Sequence, residues 1–222
     1  MARERGAPLV EVFGKGRTLE GRRAGGGFCF VYAGERGRYA FSPALAGRHQ
    51  GVNAAVAIAA IELLSRVWKP FDRSKVLEAI RETRWEGRLE TVRRRPLVLL
   101  DGAHNVEGVE ALAAHIRDVI RRPVVLVFAA MQDKDLRSMA RILFPVASTV
   151  VLTRVPYKRS ATPEELLAAA PPFAGRVLLE PGTRKAVDLA LKESRGRTPV
   201  VIPGSLFLIG EIKRLRLFRA SA

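Results

Sequence analysis

From Trp85 onward, short apolar runs alternate with longer amphipathic stretches, and this rhythm constrains the fold more than any other feature. The runs at residues 96–100, 124–130, 149–153, 176–179 and 199–202 are rich in Val, Leu and Ile and too short to be helices. They read as buried strands. The stretches at 106–120, 136–143, 163–170, 183–193 and 205–217 space their apolar residues at helical intervals. Pro145 stops the second of these, and Pro163 opens the third at its first turn. Strands separated by helices cannot close as hairpins, so they pair in parallel through right-handed crossovers. A doubly wound α/β domain over about residues 86–222 is the expected architecture.

The first part of the chain has a different texture. Residues 9–13 alternate like a strand, and Gly25-Gly26-Gly27 opens a second one at 28–32. A turn at 34–37 leads into a third at 39–41. A few hairpins of this size do not stand alone, so they read as part of a sheet completed elsewhere. Two helices follow. One spans residues 53–67, with Val56, Ala60, Leu63 and Leu64 in register and Pro70 as its stop; the other spans 74–83, with Asp72 or Arg73 near its start.

Hydrophobic residues make up 48% of the chain, enough for a packed core. No apolar run reaches the length of a membrane span, and the first six residues lack the apolar stretch of a signal peptide. Cys29 is the single cysteine, so no internal disulfide can form and a reducing cytoplasm is the expected compartment. The net charge of +16 attracts polyanions. Its arginines and lysines are spread from Arg3 to Arg219, which favours general solvation over a dedicated nucleic-acid patch.

Ligands of open α/β sheets sit at the carboxyl ends of the strands. Three such ends are polar here. Asp101-Gly102-Ala103-His104-Asn105 follows the first strand; Gly102 permits a tight turn, Asn105 can cap the next helix, and Asp101 and His104 project into the crevice. Met131-Gln132-Asp133-Lys134-Asp135 follows the second, where Asp133 or Asp135 can cap a helix and Lys134 can meet an anion. Gly204-Ser205 opens the last helix and presents free N–H groups. Upstream, His49-Gln50-Gly51-Val52-Asn53 opens the Ala-rich helix, where Asn53 can serve as a cap. Arg88, in Glu86-Gly87-Arg88-Leu89-Glu90, lies at the junction, where it can be a plain surface Arg or reach a phosphate bidentately.

Taken in order, these segments resemble the folylpolyglutamate synthase and dihydrofolate synthase family of the Mur ligase superfamily. The resemblance runs from Gly47-Arg48-His49-Gln50 and Asn53 to Gly204-Ser205-Leu206-Phe207-Leu208-Ile209-Gly210-Glu211. Gly-Arg-Leu-Glu followed by Asp-Gly-Ala-His-Asn is its most specific part, and Glu86 stands where the family usually has Pro. The resemblance implies a Rossmann-like, doubly wound C-terminal Mur ligase domain over 86–222. It implies that residues 1–85 are the last strands and helices of the central ATPase domain. It also implies ATP and Mg2+ as cofactors, and L-glutamate and a folate or dihydropteroate acceptor as substrates joined through an acyl phosphate. Asn53, Arg88, Asp101 and His104 would then bind nucleotide, and no residue is assigned as catalytic with certainty.

No G-x-x-x-x-G-K-[ST] occurs, since Gly14-Lys15 is followed by Gly16 rather than Ser or Thr. The phosphate cradle and the Mg2+ ligands are therefore expected in a missing half, and the chain alone is expected to bind ATP poorly and not to ligate. The chain would then be one half of a split enzyme, completed by a P-loop-bearing partner chain, or a truncated gene product. The competing readings are a non-catalytic basic α/β module that holds nucleotide or another polyanion, and a Mur ligase acting on an amino-sugar peptide.

Overall fold

The computed structural model describes residues 5–6, 9–14, 16–68 and 70–218. Met1–Glu4, Lys15 and Arg219, which figured in the sequence reading, lie outside them. The chain divides into two compact units, Met1–Arg84 and Trp85–Ala222.

In the first unit, β1 (Leu19–Ala24), β2 (Gly27–Gly34) and β3 (Gly37–Phe41) form an antiparallel meander. Gly25 and Gly26 both have positive φ, 56° and 83°, as a two-residue turn twisted to match its strands demands. Helices α1 (His49–Leu64) and α2 (Arg73–Glu82) pack their apolar residues against this sheet, and Asp72 caps α2 by accepting from the N–H groups of Ser74 and Lys75. The strand expected at residues 9–13 does not form: Leu9 is exposed and no described strand pairs with this segment. Phe13 instead turns its ring edge-on to Tyr32. The segment Leu-Glu-Gly-Arg-Arg-Ala, too charged to read as a strand, is β1; its side chains are exposed or half-buried, so burial does not exclude charge there.

Glu62 of α1 ties helix to sheet and is 2% exposed. Its carboxylate accepts from the Tyr39 hydroxyl at 2.6 Å and from the backbone N–H groups of Arg36 at 2.8 Å and Glu35 at 3.2 Å. Replacing it by Gln turns one acceptor oxygen into a donor facing another donor. Glu62→Gln should lower stability by about 1–3 kcal/mol in urea unfolding, whereas the same change at exposed Glu78 should leave the midpoint in place.

The second unit holds β4 (Glu90–Arg94), β5 (Leu97–Leu100), β6 (Val124–Phe128), β7 (Ala147–Leu152), β8 (Arg176–Leu179) and β9 (Val200–Ile202). They lie in the order β4-β5-β9-β6-β7-β8, parallel except for β4. All five residues of β6 are buried, which is why its sequence is uninterrupted Val, Leu and Phe. Alternate residues serve opposite faces. Leu99, Leu126, Phe128, Val150 and Val201 join the core on the side of α3 (Val106–His115), α4 (Leu136–Leu143) and α5 (Pro163–Ala169). Val98, Leu100, Val125, Val127 and Val200 join the one on the side of α6 (Thr183–Glu193) and α7 (Leu206–Arg214). The doubly wound α/β arrangement read from the sequence is therefore present. The antiparallel edge strand β4 departs from it: its Arg93 and Arg94 stay exposed, as an edge position allows.

Candidate functional site

Winding runs outward from β5 through β6 to β8 and then returns to insert β9 between β5 and β6. In open α/β sheets such a reversal marks where ligands bind, here outside the carboxyl ends of β5, β9 and β6. Backbone bonds stitch the loops leaving these strands together. The Asp101 N–H donates to Ile202 O at 3.1 Å, and the Gly204 N–H to Ala103 O at 2.8 Å. Gly204 is at φ 106°, and a Cβ there would stand 2.2 Å from Ala129 O, so the loops meet closely enough to require glycine.

Arg88 lies on a loop drawn into the same place. The Gly102 N–H donates to Gly87 O at 2.6 Å. Gly87 has φ 69°, and Leu89, a branched residue, has φ 48°. Such a conformation at Leu89 persists only where its surroundings hold it. Two things do: the Leu89 side chain is 5% exposed, and its N–H donates to Asp101 Oδ2 at 2.9 Å. The Arg88 side chain is half-buried, and among the described residues it has no ion-pair partner.

Asp101 is 6% exposed. Its other oxygen, Oδ1, accepts from the Ala103 N–H at 2.9 Å. Burial pushes its carboxyl up from the ordinary range, against the pull of the Leu89 and Ala103 N–H groups and the Arg88 charge. The projection into the crevice expected of Asp101 is corrected here: the side chain folds back to hold its own backbone loop and the Arg88 loop. His104 is half-buried, and its Nδ1 lies 2.8 Å from Gly102 O. A carbonyl only accepts, so Nδ1 carries the proton and Nε2 remains for another partner. Asn105 caps α3 by accepting from the Gly108 N–H.

The other strand ends are more committed. Lys134 Nζ lies 3.4 Å from Asp133, which is also 3.8 Å from Arg159. Asp135, rather than Asp133, caps α4 through the Ser138 N–H. Ser205 is buried and caps α7 through the Phe207 N–H. Sequence reasoning missed the stacked pair Tyr157–Phe207, with ring centroids 4.5 Å apart and both rings partly exposed beside α7. It also missed Lys213, whose ammonium reaches Glu90 and Glu86.

Arg88, Asp101 and His104 lie close together at the strand ends of the second unit, with Asp101 turned inward onto the Leu89 and Ala103 N–H groups. Asn53 belongs to the first unit. It is no cap, because α1 starts at His49; its side-chain amide donates to Gln50 Oε1 at 3.0 Å on an exposed part of the helix. A hollow of about 840 Å3 also lies in the first unit, between the sheet and α2, and none of the four expected site residues lines it.

The family profile described as Mur ligase, glutamate ligase domain, matches residues 87–206. The chain belongs to this family. Its Mur ligase domain resembles folylpolyglutamate synthases, as the motifs implied. The Lacticaseibacillus casei folylpolyglutamate synthase is 29% identical over 195 residues, covering 87% of this chain and 44% of that protein. The Bacillus subtilis dihydrofolate synthase/folylpolyglutamate synthase is 31% identical over 173 residues, covering 77% and 40%. A crystal structure of Mycobacterium tuberculosis folylpolyglutamate synthase complexed with ADP and AMPPCP aligns at a TM-score of 0.82 and 30% identity, over 91% of this chain and 48% of that one. The chain thus spans less than half the length of the relatives it matches.

Proposed function

We propose that this Mur ligase domain and the segment before it contribute to an ATP-dependent ligase that joins L-glutamate to a folate or dihydropteroate carboxylate. The reading rests on one observation. Arg88 is half-buried, lacks an ion-pair partner among the described residues, and sits in a strained, doubly tethered loop at the strand-end crevice. A guanidinium held in this way suits a phosphate oxygen, which it can engage through two parallel N–H bonds. The M. tuberculosis relative of like fold is a complex with ADP and AMPPCP.

ATP, when bound, supplies the phosphoryl group that turns the acceptor carboxylate into an acyl phosphate, which the glutamate amine then displaces as phosphate to leave an amide. Arg88 binds and orients a phosphate oxygen and balances its negative charge. His104 offers Nε2 to the nucleotide. Asp101 fixes the geometry of the Arg88 loop. Mg2+ finds no ready cage here: among the described residues no three His, Cys, Asp or Glu side chains group to hold a metal. Its ligands are assigned, with the phosphate cradle, to a P-loop-bearing partner segment. The net charge of +16 draws ATP and polyglutamate toward the chain.

The outer face of α1 supports such a partner. Val52, Val56, Ile61 and Leu64 are exposed on a helix that is apolar on both sides, and a helix of that kind is normally covered all round. The chain alone should show no ATP-dependent incorporation of labelled glutamate into a folate acceptor, and adding a P-loop-bearing polypeptide should restore it. Val56→Asp should leave the chain folded and reduce that restored activity. Full ligation by the isolated chain would refute the need for a partner, and none in the mixture would refute the ligase reading.

A further inference from the structure

Lys213 lies on α7, 123 positions from Glu90 and outside every motif of the sequence. Its Nζ contacts Glu90 Oε1 at 2.9 Å and Glu86 Oε2 at 3.1 Å. The other oxygen of Glu90, Oε2, accepts from the Gly87 N–H at 2.7 Å. Arg88 is therefore flanked by two carboxylate tethers: Glu90 holds the amide before it and Asp101 the amide after it. Asp101 is locked in place by the sheet and its buried setting. Glu90 is the adjustable tether, because its side chain is 26% exposed and, among the described residues, its Oε1 is held by Lys213 alone. Glu86, 79% exposed, adds a weaker, solvent-screened contact. Burial works against the Lys213 ammonium, but its bonds to Glu90 and Glu86 outweigh this and raise its pKa above the ordinary lysine range, so the link persists at neutral pH.

We infer that Lys213 is a positioning residue: by pinning Glu90 it fixes the Gly87–Leu89 loop in the conformation that presents Arg88 to a phosphate. Lys213 acts through Glu90. The inference rests on the phosphate role given to Arg88 above, and the test separates the two. Inorganic triphosphate is the probe, and the full chain is used throughout. In Lys213→Met, amide exchange at Gly87 and Leu89 should speed up about tenfold, and the Kd for triphosphate should rise about fivefold. Lys213→Arg, which keeps the charge, should restore most of both. Glu90→Gln, which keeps the side-chain shape, should reproduce the methionine variant, and a thermal melt identifies any variant that has lost its fold. Combined with Arg88→Ala, Lys213→Met should have no further effect on binding. Unchanged exchange in folded Lys213→Met, or equal losses in the presence and absence of Arg88, would overturn the positioning role alone. A triphosphate affinity indifferent to Arg88→Ala would overturn the phosphate reading and this inference with it.

Discussion

Replacing Asp101 by Ala should destabilise the second unit by roughly 3–5 kcal/mol, more than any exposed substitution, and lower the midpoint of urea unfolding followed by circular dichroism. The carboxylate serves two backbone N–H groups, of Leu89 and Ala103, at a site 6% exposed to solvent. Alanine leaves both donors without an acceptor and releases Leu89 from its left-handed conformation. Asp101→Asn keeps the shape but points an amide donor at one of the two N–H groups, so it should cost about half as much, roughly 2 kcal/mol. The pH dependence has a defined sign. Burial raises the Asp101 pKa above its unfolded value, so the native state holds that proton more tightly. Its contribution to stability is complete below the ordinary carboxylate range and declines as pH rises through the raised pKa. Asp135 and Glu165, lowered chiefly by their hydrogen bonds to Ser138 and Thr162, act in the opposite direction and lose their contribution as pH falls. The deficit of Asp101→Ala should therefore narrow between acid and neutral pH. A deficit below about 1 kcal/mol, or one that widens with pH, would show that Asp101 does not carry the loop.

The same residue marks where sequence reasoning stops. The cap Asn105 was legible, and Asp72 and Asp135 each as one of two candidates, because their partners lie two or three residues away. The inner strands were legible because burial on both faces leaves mainly apolar residues, without exception in β6. Edge strands β1 and β4 were not, since a solvated edge accepts Arg and Glu. The expected strand at 9–13 had the right alternation, but a strand exists only in its pairing, and the described residues provide none. Asp101 was found as a strand-end acid, yet the direction of its side chain depends on Leu89, twelve positions earlier. Lys213 gave no signal, because its partner lies on another element far along the chain. The motif spacing carried the residue identities of the crevice; long-range hydrogen bonds assign their work.

In the mixture with a P-loop-bearing partner, Arg88→Ala should lower kcat by about 10²–10³-fold, the usual loss when one preorganised charge on a transferring phosphoryl group is removed. KM for ATP should change far less if the cradle holding most of the triphosphate lies in the partner. Arg88→Lys should recover only part of the rate, because an ammonium cannot reproduce two parallel bonds to one phosphate. Stability should change little: among the described residues Arg88 has no ion-pair partner, its charge is the smallest of the influences on Asp101, and its loop is held through the backbone of Gly87 and Leu89 rather than through its side chain. That independence makes the pair of variants diagnostic. Asp101→Ala removes the tether, so stability and rate should fall together; Arg88→Ala removes only the charge, so rate should fall alone. A folded Arg88→Ala chain with kcat within about twofold of the unmodified chain would detach this crevice from phosphoryl transfer.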